Sequence, residues 1–122
     1  MNPVKTIYGI DMYVDEHDSL GIKRNGFYET DTAAAIYHYV KRTDTALDIG
    51  SHIGYFTLIM AKLCKKVYAF EPELRNLRIL EKNIQDTNNV ILFNAAVTEF
   101  SGQKSLYGCD NNSGMHRMYV SK

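Results

Sequence analysis

A chain of 122 residues is long enough for one hydrophobic core and short for a complete two-sided α/β enzyme, so one compact, partial domain over 1–122 is expected. Hydrophobic residues make up 45% and charged residues 23%, which excludes an intrinsically disordered chain. Fourteen Lys plus Arg cancel fourteen Asp plus Glu, removing the positive field that would by itself point to nucleic acid or an anionic membrane surface; neither partner is expected.

The longest uncharged stretch, residues 49–61, is interrupted by Gly50, Ser51, His52 and Gly54. It falls short of the roughly 20 apolar residues of a membrane span. The first residues, MNPVKTIYGID, lack the apolar centre of a secretory signal, so the expected location is the cytoplasm. Cys64 and Cys109 show neither CxxC spacing nor the density of a disulfide scaffold. They read as two reduced thiols, with no metal site.

In chain order, residues 7–14 (IYGIDMYV) mix β-branched and aromatic residues, and an acidic DEHDS turn precedes Leu20, Gly21 and Ile22. This predicts a short antiparallel hairpin. Thr30 and Asp31 offer N-cap oxygens to a helix ending near Arg42, with Ala33, Ile36, Tyr37 and Val40 on one face. From Thr45 short apolar runs alternate with helical periods, the signature of βαβ units in a parallel sheet. TALDI and VYAF (67–70) are the first two runs. Residues 53–63 between them are apolar nearly all round, as in a helix packed deeply against a sheet. After Pro72, placed as the first helical residue, Leu74, Leu77, Leu80 and Ile84 form one stripe of an amphipathic helix. Asn88 and Asn89 break the chain before VILFN (90–94), and the polar tail has a weak strand near 104–107. The order is half of a doubly wound sheet.

The informative segment is Asp48-Ile49-Gly50-Ser51-His52-Ile53-Gly54, where a strand turns into the buried helix, with Glu71 at the end of the next strand. In an open α/β sheet, ligands sit outside the carboxyl ends of the strands, so this loop and Glu71 converge on one crevice. Gly50 and Gly54 permit a tight turn and close approach of ligand or helix. Glu71 follows Gly50 by 21 residues (71 − 50), near the offset at which an acidic residue accepts hydrogen bonds from a ribose.

A dinucleotide fingerprint would need a glycine at His52, and no GK[ST] follows to make a P-loop. The Asp48 carboxylate would repel a pyrophosphate. It suits a sulfonium and an ammonium, while the helix N-terminus offers N–H groups to a carboxylate. S-adenosylmethionine carries all three groups. His52 is read as a polar helix-entry residue or a cofactor contact. Tyr37, Tyr39, Tyr55 and Phe56 are read as core or crevice wall.

These residues resemble a family. ALDIGSHIGYFTLIMAKLCKKVYAFEPELRNLRILEKNI followed by VILFNAAV looks like the cofactor-binding portion of the FkbM family of class I S-adenosylmethionine-dependent methyltransferases. The family pattern runs D-x-G-A-N-x-G-Y-F, V-x-A-F-E-P and N-x-A-V, with an upstream G-x-Y-E matched by Gly26-Phe27-Tyr28-Glu29, and the resemblance covers about residues 20–106. It implies a Rossmann-like methyltransferase fold, an α/β parallel sheet with flanking helices, truncated after the third core strand and preceded by the N-terminal β-hairpin. Asp48, Gly50 and Gly54 would surround the methionine end of the cofactor, with Ser51, His52 and Tyr55 in or beside the loop. Glu71 would hold the ribose hydroxyls next to Pro72, and Asn94 and Ala95 would border the adenine. Tyr28 and Glu29 would help close the pocket.

The sequence departs from the pattern in two places. Ser51-His52 replaces Ala-Asn, and the later K-x-D-x-E-G strand, which pairs beside 45–49, is not reached. An open strand edge predicts a homodimer or aggregation. The family's acceptor is a hydroxyl of a sugar or small metabolite, and no residue here is assigned as its general base. Residues 111–119 (NNSGMHRMY) could contact the acceptor or form a loop. Two other readings stay open: a non-catalytic or truncated module that binds the cofactor, and an NAD-dependent oxidoreductase.

Overall fold

The computed structural model describes residues 2–107 and the backbone of 117–118. At the N-terminus, β1 (Val4–Lys5) pairs antiparallel with β2 (Asp11–Met12). The expected hairpin therefore forms at a different place, with its turn inside the stretch read as one strand. Gly9 adopts φ +70, the Thr6 amide donates to Ile10 O at 2.8 Å, and the Ile10 amide donates back to Thr6 Oγ1 at 3.2 Å. A turn that closes through one glycine and one threonine hydroxyl overrides the β-branched composition around it. Ile22, expected in the second strand, instead starts the short helix α1 (Ile22–Asn25). Its first amides, Lys23 and Arg24, are capped by the Asp18 carboxylate.

Helix α2 (Thr30–Tyr39) ends three residues before Arg42. Its N-cap is Glu29, in the left-handed region at φ 43, rather than Thr30 or Asp31. Ala33 is buried and Ile36 and Val40 are half-buried, whereas Tyr37 is exposed. Strands β3 (Thr45–Ile49), β4 (Lys66–Phe70) and β5 (Val90–Phe93) form a parallel sheet in the order β3-β4-β5. Helices α3 (Tyr55–Leu63) and α4 (Leu74–Ile84) make the two crossovers. Farther on, β6 (Leu106–Tyr107) pairs antiparallel with β7 (Arg117–Met118). The remainder of 111–119, together with Cys109, lies outside the described residues.

Val67 and Ala69 point from β4 into the core, where Met60 of α3 and Cys64, its C-cap, pack against Val67. The Cys64 thiol is free and donates to Lys66 O at 3.3 Å. A second cluster joins Met12, Val14 and Ile22 to Ile53, Tyr55, Leu58 and Ile59, with Ile79 and Ile84 of α4 against it. Full burial of side chains such as Met12, Ile53, Ile59 and Leu80 is worth about 1.5–3 kcal/mol each.

Pro72 lies before α4 rather than inside it; Glu73 is the N-cap, and its carboxylate accepts the Asn76 amide at 2.8 Å. Leu74 at the start of the predicted stripe is exposed, and Asn76 takes its place in the buried face with Leu77 and Leu80.

Among the described residues, the helices cover one face of the sheet. On the other face the register aligns Leu47, Tyr68 and Ile91 in one row and Ile49, Phe70 and Phe93 in the next. Leu47 is 61% exposed and Ile49 59%, and the Phe70 and Phe93 rings stack at 4.9 Å. Among the described residues β3 has no strand on its outer side. Also among them, no helix is long and apolar enough to cross a membrane.

Candidate functional site

The site lies where β3 and β4 end. Ser51 locks the two strand tips together: its hydroxyl donates to Asp48 O at 2.7 Å and accepts the Phe70 amide at 3.0 Å. The Gly50 and Ser51 amides both donate to Phe70 O. Ser51 is buried, and besides these backbone bonds its hydroxyl also reaches the Asp48 carboxylate. It shapes the loop from behind.

Gly50 and Gly54 are required for different reasons. At Gly50 φ is +78 and a Cβ would meet no heavy atom within 4 Å, so its surface is open. At Gly54 φ is +93 and a Cβ would collide with Leu80 Cδ1, so the missing side chain lets α4 pack against the N-terminus of α3. His52, between them, also has a positive φ, +54. Three left-handed residues in five positions wind the chain so that the His52 amide turns toward β4.

That amide donates to Glu71 Oε2 at 2.8 Å. Glu71 is only 4% exposed, and its Oε1 accepts the Glu73 amide at 2.9 Å and, more weakly, Asn76 Nδ2 at 3.4 Å. A carboxylate has about four acceptor positions, so these three donors leave about one, on Oε2. Asp48, one strand over, has its Oδ2 capped by the hydroxyl of the fully buried Thr57. Burial pushes the Asp48 carboxyl above the ordinary carboxylate range. The Thr57 hydroxyl pulls it down, the Glu71 charge pushes it up, and the Ser51 hydroxyl and Thr57 amide pull it down again. The ion pairs among the described residues are Lys5–Asp11 and Arg75–Glu73. Asp48 and Glu71 therefore feel each other's charge, and among the described residues no Lys or Arg is paired to either.

The other predicted residues divide. Asn94 Nδ2 donates to Glu71 O at 2.9 Å and Pro72 O at 3.2 Å, tying the end of β5 to that of β4. Pro72, Asn94 and Ala95 line a cleft of about 410 Å³ whose far wall is built from the 98–106 segment. Tyr55, by contrast, is core: it is buried, and its hydroxyl accepts the Tyr28 amide at 3.2 Å. Tyr28 packs edge-on against Tyr55 and beside Phe56, which carries Glu29 to the N-terminal end of α3. The Glu29 carboxylate accepts the Thr32 hydroxyl at 3.1 Å and is exposed. Burial pushes the Tyr28 hydroxyl above its usual range, helped by Glu29 beside it. No group of three or more His, Cys, Asp or Glu among the described residues is placed to hold a metal ion.

Thr57, Asn76 and Asn83 were not singled out by sequence reasoning, yet each supports the site. Asn76 and Asn83 are seven apart in α4, on the face that carries Leu80. Two asparagines within an apolar helical stripe are the signal that could have found them.

No protein-family model and no curated protein sequence matches the chain. Solved structures do. An rRNA methylase from Streptococcus thermophilus is similar at a TM-score of 0.52 and 22% identity, over 55% of this chain and 38% of that one. Trm5b from Pyrococcus abyssi is similar at 0.54 and 18% identity, over 74% of this chain and 26% of that one. The phosphoethanolamine N-methyltransferase 1 of Haemonchus contortus, solved with phosphoethanolamine and S-adenosylhomocysteine, is similar at 0.51 and 14% identity, over 60% of this chain and 16% of that one. The chain thus spans about two fifths or less of the length of the solved proteins it resembles. With a parallel three-stranded sheet, crossover helices and an acidic, glycine-containing crevice at the strand ends, it has the Rossmann-like fold of methyltransferases, in part.

Proposed function

We propose that this chain is the S-adenosylmethionine-binding portion of a class I methyltransferase of FkbM type that methylates a hydroxyl of a sugar or small metabolite. One observation carries the reading: two adjacent, largely buried carboxylates, Asp48 and Glu71, lie without a cationic partner among the described residues and next to the open backbone of Gly50. Buried charges are expensive unless paired. A ligand that brings an ammonium and a sulfonium toward Asp48, and hydroxyl donors toward Glu71 Oε2, relieves both. A pyrophosphate would worsen both, which argues against a nicotinamide dinucleotide.

In this reading Asp48 orients the amino-acid end of the cofactor, with Thr57 holding the carboxylate rotamer. Gly50 lets the ligand lie against backbone, and the first-turn amides of α3 face its carboxylate. Glu71 accepts the ribose, Pro72, Asn94 and Ala95 border the adenine in the 410 Å³ cleft, and Glu29 stands at the rim. Ser51 and Tyr55 act by positioning. When bound, the cofactor supplies an electrophilic methyl for in-line displacement, and these residues contribute proximity and orientation. The base for a hydroxyl acceptor is not among the residues assigned here.

An RNA acceptor is the second reading, because solved rRNA methylases share the fold. Lys62, Lys65 and Lys66 would be its electrostatic footprint, but they sit at the end of α3 and the start of β4, opposite the crevice. The small-molecule acceptor is therefore preferred.

Calorimetric titration with S-adenosylmethionine and S-adenosylhomocysteine, with NAD as the control and Glu71→Ala alongside, tests the cofactor. Saturable binding of the adenosyl ligands, lost in the variant, is the expected result. Binding of NAD in preference would return the oxidoreductase reading, and binding of none would sink the cofactor assignment.

A further inference from the structure

The crevice loop is held from below by a side chain of α4. Asn83, near the end of α4, uses its whole amide. Its Oδ1 accepts the Tyr13 amide at 2.6 Å, and its Nδ2 donates to Tyr13 O at 2.9 Å and to Ile53 O at 2.7 Å. Ile53 sits between His52, whose amide meets Glu71, and Gly54, which abuts Leu80. One side chain thus joins the segment after β2 to the loop that carries Gly50. The Lys82 ammonium lies 3.7 Å from the centre of the Tyr13 ring, so the same segment is gripped twice by the end of α4.

We infer that Asn83 is a positioning residue for the cofactor loop: by fixing the Ile53 carbonyl it holds the Ile53–Gly54 peptide that closes the turn around His52, and so keeps the His52 amide on the Glu71 carboxylate. The inference rests on the function proposed above for the ligand, but the loop-setting role stands on geometry alone. His52 is in the left-handed region, which is unfavourable for a non-glycine side chain, so its conformation needs partners on both sides. Glu71 supplies one and Asn83 the other. An asparagine is suited to this because it donates to two carbonyls and accepts from one amide with a single short side chain. Aspartate would keep only the acceptor.

The molecule contains its own control. Asn89 Nδ2 donates to Ala61 O at 2.8 Å and Cys64 O at 3.1 Å, the same chemistry at the opposite end of α3. In the full chain, Asn83→Ala, Asn83→Asp and Asn89→Ala are compared by amide hydrogen exchange and by titration with S-adenosylhomocysteine. Both Asn83 variants are expected to speed exchange at the His52 and Gly54 amides by about tenfold and to weaken the ligand by a similar factor, as for loss of a buried hydrogen bond. Asn89→Ala is expected to leave both within about twofold of wild type. If Asn83→Ala proves too unstable to assay, Asn83→Asp, which retains the Tyr13 bond, carries the comparison.

Unchanged loop exchange in a folded Asn83 variant, or equal effects from Asn89→Ala, overturns the inference. A wild-type chain that binds no S-adenosylhomocysteine, with the loop effect intact, overturns the cofactor reading and leaves the loop-setting role of Asn83 standing.

Discussion

The backbone amide of His52 donates to Glu71 Oε2 at 2.8 Å, so the loop after β3 is joined through its main chain to the carboxylate proposed to hold the ribose. This bond couples the loop to β4 and depends on a negative acceptor surrounded by three donors. Replacing Glu71 by Gln would place an amide NH2 among N–H groups. Glu71→Gln is therefore expected to cost about 1–3 kcal/mol of stability in denaturant unfolding. It should also abolish measurable S-adenosylmethionine binding by calorimetry. A variant as stable as wild type would show that the three donors do not depend on the charge.

Asp48 is expected to exchange stability for binding. Its carboxyl is raised above the unfolded value, so the native state favours the protonated form. That contribution is present below the unfolded pKa and is lost as pH rises through the raised, folded one. Asp48→Asn, which keeps an oxygen for Thr57, should melt close to wild type in acid and above it at neutral pH. Its affinity for S-adenosylmethionine should fall by about 10- to 100-fold, the scale of one lost charged hydrogen bond. Melting curves from pH 3 to 8, roughly the span around the carboxylate range, test the sign. A variant less stable than wild type at neutral pH would contradict it.

Gly54→Ala is expected to destabilise the chain by about 2–4 kcal/mol, combining a positive φ with overpacking against Leu80. Leu80→Ala in the same chain should recover part of the overpacking, so the double variant should lose less than the sum of the single ones. Strict additivity would mean that the two residues do not meet.

The bare face of the sheet and the outer edge of β3 are expected to drive self-association, in keeping with a homodimer through that edge. Leu47 and Ile49 are exposed there, and β3 contains no proline or lysine to block pairing. Light scattering over a concentration series should show mass increasing in wild type and a shift toward monomer in Leu47→Lys. A wild-type chain that stays monomeric throughout would count against the edge as a contact.

The sequence was most legible where one period dominates. TALDI, VYAF and VILFN are short apolar runs divided by helical periods, and each holds a strand of one parallel sheet, the last ending at Phe93. The N-terminus was misread because 7–14 has strand composition but is divided by a turn that closes on Thr6 and Gly9. Helix α4 starts two residues after Pro72: a proline signals a helix entry, but only the Glu73 carboxylate reaching the Asn76 amide fixes which residue comes first.

Sequence alone determined the element types from Thr45 to Phe93, the order of the crossovers and the clustering of Asp48, Gly50 and Glu71 at the strand ends. Hydrophobic period and parallel-sheet geometry are local rules that leave little choice there. Tertiary structure alone decided what each glycine is for, that Ser51 locks the two strand tips while Tyr55 turns into the core, and that Asn76 and Asn83 support the crevice. These depend on which side chain arrives from another element: Leu80 against Gly54, Tyr28 against Tyr55, and Asn83 against Ile53. Contacts between residues 26 to 30 positions apart leave no periodic trace in the chain, because packing selects them only after the helices have docked.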